Sequence, residues 1–261
     1  MAPDVAVVET YPGAQSAART IALLKSFDDV HPEWTLAELS ERLGLNKTTT
    51  HRLLAVLEGE GLIERNNAGA YKLGPEMIAL GGCAMRANDL RAASRAVMET
   101  LAMEVAETVS LEILSKNQIM IIDEVSSREP MGVSQNVGAR LPLHATSTGK
   151  LLLAYSPADV VDEALSGPLP ALTPATITDP EALRAQLDEI CARGYAITQE
   201  ELDVGFMAVA APIYDHTRTV VAALSIGGPV LRMDTEELPE KVAALQVAAR
   251  KISRGIGYQP G

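Results

Sequence analysis

The chain is predicted to be α+β in two units, with a linker helix between three helices plus a β-hairpin and a larger unit of helices on a mainly antiparallel sheet. Three observations predict this. Helix caps and left-handed stops recur at close spacing between residues 16 and 58. The hydrophobic period changes from helical to alternating at Leu62. After residue 107, alternating apolar runs are interleaved with capped helical ones. The 261 residues suit two modest domains, and 47% hydrophobic content lets each build a core.

Residues 1–15 carry Pro3, Pro12 and Gly13 without helical period and read as a flexible arm. From Ser16 to Phe27, Ala17, Ile21, Leu24 and Phe27 recur at helical spacing. Thr35 and Glu38 form a capping box before the stripe Leu36, Leu39 and Leu43, and Gly44 supplies the stop. Asn46 can cap a third helix to about Glu58, burying Thr50, Leu53, Leu54 and Leu57. Two helices across so short a turn make a helix-turn-helix. Residues 62–65 and 70–73 then read as strands around Asn66-Asn67-Ala68-Gly69, a wing, so 16–74 is a winged helix-turn-helix.

A linker helix is expected over 75–106, with a break allowed at Gly81-Gly82. In the unit over 107–261, strands are expected at Val109–Leu114, Ile119–Val125, Met131–Val137, Tyr195–Gln199, Val204–Tyr214 and Thr219–Gly227. Helices are expected from the Thr146 cap to Tyr155, over Pro157–Leu165 and Asp179–Arg193, and from Asp234 to Arg254.

Composition narrows the function. Cys83 and Cys191 have no Cys/His cluster around them, which excludes a disulfide scaffold or zinc finger. His31, His51, His144 and His216 lack ligand spacing, so neither a metal nor a cofactor is expected. The longest uncharged stretch, residues 164–178, contains three prolines and cannot span a bilayer. With no basic apolar leader before Arg19, a cytoplasmic location is expected.

The net charge of −12 argues against nucleic acid, yet residues 46–74 carry Lys47, Arg52, Arg65 and Lys72 against Glu58, Glu60 and Glu64. Rotation at 100° per residue sets Thr48, Arg52 and Ala55 opposite the leucine stripe, with His51 on the flank. Lys47, Thr48, Thr49, His51 and Arg52 therefore stand where a major-groove helix reads bases, and Arg65 and Lys72 where a wing grips phosphates.

The string TLAELSERLGLNKTTTHRLLAVLEGEGLIERNNAGAYKLG, Thr35 to Gly74, resembles the winged-helix half of the IclR family of bacterial transcription regulators. LPLHATSTGKLLLA (Leu141–Ala154), RGYAITQEELDVGFMAVAAPIYD (Arg193–Asp215) and VVAALSIGGPVLR (Val220–Arg232) resemble its effector domain. The resemblance implies a GAF-like α/β effector-binding and oligomerisation domain. It also implies a homodimer, often paired into a tetramer, that binds double-stranded operator DNA and responds to a small organic effector. The implied function is a regulator, expected to be a repressor, of a catabolic operon.

Backbone amides at the start of the helix capped by Thr146 suit a carboxylate. By the resemblance, Ser147, Thr148, Gly149, Met207, Ala208 and Ser225 line the effector cavity, and Glu201 and Asp203 lie in a run that could gate it. Some relatives carry polar side chains at the positions of Ala208 and Gly227, which points here to a larger or more apolar acid, such as an aromatic one.

Two other classes compete. Ser147-Thr148-Gly149-Lys150 matches the S-x-x-K pattern of serine acyl-transfer enzymes, but the remaining motifs of that class are out of order or missing. A sensor acting only through protein contacts, with no DNA binding, would fit the overall acidity. Neither displaces the expectation of a non-enzymatic regulator.

Overall fold

A computed structural model describes residues 14–127, 136–233 and 236–259. The expected arm falls mainly outside these residues, as do most of the strand expected at Met131–Val137 and the helix start expected at Asp234. The chain divides into two compact units, one ending at Ala87 and the other beginning at Asn88.

In the first unit the order is α1 (Gln15–Leu24), β1 (Glu33–Trp34), α2 (Leu36–Arg42), α3 (Lys47–Gly59), β2 (Ile63–Arg65), β3 (Tyr71–Leu73) and α4 (Pro75–Arg86). The capping box of α2 is complete: Glu38 N–H donates to Thr35 Oγ1 at 3.3 Å, and Thr35 N–H donates to Glu38 Oε2 at 2.8 Å. Gly44, at φ +62°, turns the chain from α2 toward α3. The apolar stripes of the helices meet in a core of Leu23, Phe27, Leu39, Leu53, Leu54, Leu57, Ile63 and Tyr71. The hairpin gains a third strand unforeseen from sequence. β1 pairs with β3, Trp34 opposite Tyr71, and the order is β1-β3-β2. Two residues are too few to show alternation.

The single helix expected over 75–106 is two. α4 runs through Gly81 and Gly82 without a break and ends at Arg86, and α5 spans Asp89–Val105. The interruption belongs to Asn88, whose extended backbone and side chain form an N-cap, with Oδ1 accepting from Arg91 N–H at 2.9 Å.

The second unit continues with β4 (Thr108–Leu114), β5 (Ile119–Val125), β6 (Arg140–Leu141), α6 (Ser147–Ala154), α7 (Ala158–Ser166) and α8 (Pro180–Arg193). It ends with β7 (Ala196–Gln199), β8 (Phe206–Tyr214), β9 (Val220–Pro229), α9 (Val230–Met233) and α10 (Leu238–Gly255). Among the described residues its six strands, in the order β6-β5-β4-β9-β8-β7, pair antiparallel throughout.

Alternation splits the sheet into two faces. Val109, Leu111, Val209, Leu224 and Ile226 pack with Met98 and Leu101 of α5 and Leu245 and Ile252 of α10. On the other face, Ala210 and Ala223 pack with Leu151 of α6 and with Leu183, Leu187 and Ile190 of α8. The small alanines let α6 approach the sheet, and the first turn of α6 ends over strand positions that are polar.

Candidate effector cavity and recognition helix

α3 presents two faces. Thr50, Leu53, Leu54 and Leu57 are buried, whereas Lys47, Thr48, His51 and Arg52 are exposed and Thr49 is half-buried. Asn46 fixes the start of the helix, its Oδ1 accepting from Thr49 N–H at 2.8 Å. On the hairpin, the exposed Arg65 donates to the Tyr71 hydroxyl with its guanidinium over the Tyr71 ring, and Lys72 pairs with Glu64 at 2.8 Å. The Lys72–Glu64 ion pair is solvent-exposed and therefore worth little, so Glu64 is readily replaced by another anion; the Arg65 guanidinium is exposed beside a buried Tyr71.

In the second unit a cavity that opens to solvent lies between the start of α6 and the sheet. Thr146 caps α6, its Oγ1 accepting from Gly149 N–H at 3.1 Å and donating to Pro142 O at 2.8 Å. Gly149 is required there, because a Cβ would stand 2.3 Å from Leu143 O and 2.6 Å from Thr146 Oγ1. Sheet register assembles the opposite wall. Thr108 faces Gly227, Gly227 faces Ala208 and Ala208 faces Thr198, while Ser110 lies between Ser225 and Glu124. A Cβ at Gly227 would meet Phe206 Cζ at 2.7 Å, so the aromatic ring fills the space a side chain would take.

Of the eight expected effector residues, Ser147, Thr148, Ala208 and Ser225 line this cavity. Four do not. Met207 alternates with Ala208 and lies in the core on the other sheet face. Gly149 supports the helix from behind its first turn. Asp203 is exposed beside the cavity lining. Glu201 is buried and spent on Lys150, whose Nζ donates to Oε1 at 2.6 Å and Oε2 at 2.5 Å. Burial lowers the pKa of Lys150, and Glu201 opposes the shift. The ammonium is thus turned to Glu201, and no bond to Ser147, which an S-x-x-K nucleophile would need, is among its described contacts.

Sequence reasoning missed Glu112, Glu124, Thr108, Ser110, Thr198 and Phe206, all of which line the cavity. Glu112 is the most unusual of them. It is buried, Ser225 Oγ donates to its Oε1 at 2.8 Å, and its Oε2 has no partner of hydrogen-bonding geometry. Burial pushes its carboxyl above the usual carboxylate range. The Thr148 and Ser225 hydroxyls oppose that shift, and Glu124 reinforces it. A signal existed in Thr108-Val109-Ser110-Leu111-Glu112, where polar residues alternate with apolar ones in a strand buried on both faces.

Residues 16–67 match the IclR helix-turn-helix domain, and residues 83–254 match the bacterial transcriptional regulator IclR C-terminal domain. The chain belongs to the IclR family. This IclR-family protein is a transcriptional regulator with a helix-turn-helix DNA-binding domain. It is 36% identical over 246 residues to a glycerol operon regulatory protein of Streptomyces coelicolor, covering 93% of this chain and 96% of that one. It is 33% identical over 250 residues to the HTH-type transcriptional repressor AllR of Klebsiella pneumoniae, covering 95% and 92%. The crystal structure of an IclR homolog from Microbacterium hydrocarbonoxydans, complexed with 4-hydroxybenzoate, superposes with a TM-score of 0.81 at 31% identity, covering 93% and 99%. Among the described residues no helix is long and apolar enough to cross a membrane, and no His, Cys, Asp and Glu group could hold a metal.

Proposed function

We propose that this regulator reads operator DNA with the first two turns of α3 and changes its grip when a small organic acid occupies the cavity under α6. Lys47, Thr48, Thr49, His51 and Arg52 face the major groove, and Arg65 and Lys72 exchange their internal partners for phosphates. The observation carrying this reading is the division of α3, whose leucine face is buried while its amino-terminal basic and hydroxyl face is free. The effector's carboxylate meets the amides at the start of α6, and its apolar body lies toward Phe206, Leu202 and Ala208. The 4-hydroxybenzoate in the Microbacterium homolog supports an aromatic acid. The regulator acts as a homodimer or a pair of dimers and represses a catabolic operon, in line with the operon regulator and the repressor it resembles.

Fluorescence anisotropy on fragments of the promoter next to its own gene tests the DNA half. Arg52→Ala weakens binding by about 1–3 kcal/mol, roughly 5- to 150-fold, if Arg52 makes a bidentate base contact. Unchanged affinity removes α3 from the interface. Titration calorimetry with carboxylic acids tests the effector half, and binding of sugars or other uncharged ligands alone discards it.

A further inference from the structure

The cavity sets a problem for an acid effector. Among the described residues its ionisable lining consists of Glu112 on β4 and Glu124 on β5, with no Lys, Arg or His. The groups that meet Glu112 from β9 and α6 are the Ser225 and Thr148 hydroxyls, and the ionisable side chain in that part of α6, Lys150, is committed to Glu201. Two carboxylates beside the seat of a third are unfavourable at short range and low dielectric. A proton on one of them removes the conflict and turns an acceptor into a donor.

We propose that Glu112 determines effector specificity by entering the complex as a neutral carboxylic acid, with Oε1 accepting from Ser225 Oγ and Oε2–H donating to the effector's carboxylate. The proposal rests on the reading of this cavity as the effector site. Its geometry is the unpartnered Oε2 of a buried side chain in the cavity wall, in a carboxyl whose other oxygen is already fixed by a hydrogen bond. An unmade hydrogen bond of this kind is costly, and a ligand that completes it is selected. The arrangement favours a monocarboxylate and disfavours its amide or alcohol, and effector binding takes up a proton.

The test is titration calorimetry of the full chain with benzoate, 4-hydroxybenzoate, pyruvate and benzamide. Each is measured across a pH series in two buffers of different ionisation heat. One acid or more is expected to bind with uptake of up to about one proton, its Kd rising by up to about tenfold per pH unit between the free and liganded pKa of Glu112. Benzamide is expected to bind at least about tenfold more weakly than benzoate. Glu112→Gln, which keeps an acceptor and an N–H donor, retains acid binding and loses the proton uptake and the pH slope. Acid binding without proton uptake, uptake that survives in Glu112→Gln, or benzamide binding as tightly as benzoate overturns the proposal and leaves the cavity reading standing. Silence of all three acids at every pH overturns both.

Discussion

Replacing Lys150 by methionine removes the cation from a buried pair and leaves Glu201 with its charge. Both Nζ–oxygen distances are 2.6 Å or less, and the side chains are 0% and 7% exposed, so water cannot substitute for the ammonium. Breaking such a pair costs about 3–5 kcal/mol. At about 2–4 °C per kcal/mol for a domain of this size, the melting temperature of the second unit falls by roughly 6–20 °C. Pairing Lys150→Met with Glu201→Leu removes both charges and their desolvation penalty, so the double variant recovers most of the loss or exceeds wild type. Circular dichroism melts of the full chain at neutral pH, with urea titrations as a second measure, read this directly. A single variant within about 2 °C of wild type, or a double variant no better than the single, refutes the assignment of Glu201 to this pair. If Glu201 also contacts the effector, the double variant regains stability and loses acid binding.

Other substitutions test the remaining parts. Gly149→Ala drives a methyl into Leu143 O and Thr146 Oγ1 and destabilises by about 1–3 kcal/mol or more in urea titration, whereas Gly81→Ala, with open space at its Cβ, does not. Lys72→Ala lowers affinity for all DNA sequences alike and reduces the slope of log K against log salt by about 1, as a phosphate contact requires; a loss confined to one sequence contradicts that role. Glu112 binds its proton more tightly folded than unfolded, so its contribution to stability is lost as pH rises from its ordinary value toward the raised one. Glu112→Gln therefore melts with wild type at about pH 4 and above it at about pH 8, and a gap that narrows with rising pH contradicts the burial argument.

What could be read in the sequence was whatever local chemistry determines. Thr35 with Glu38, Asn46 and Thr146 cap the helices they were expected to cap, because each bond closes within three residues of its own backbone. Lys116 and Asn117, at φ +52° and +53°, turn the chain between β4 and β5, the two strands expected on either side of them. Reading was weakest where a distant partner decides the outcome. β1 exists because β3 lies alongside it, and Glu201 leaves the cavity because Lys150, 51 residues earlier, takes both its oxygens. The glycines at 81 and 82 were a natural place to break a helix, but glycine only weakens a helix. Asn88 ends one by offering the next helix a capping oxygen. The polar wall of the cavity is an intermediate case. Thr108, Ser110 and Glu112 announce themselves by polarity at every second residue, but only pairing with β9 sets Ser225 against Glu112 and makes the row a site. A polar alternation on a central strand is therefore itself a signal, since such a strand has no solvent face on which to hide it.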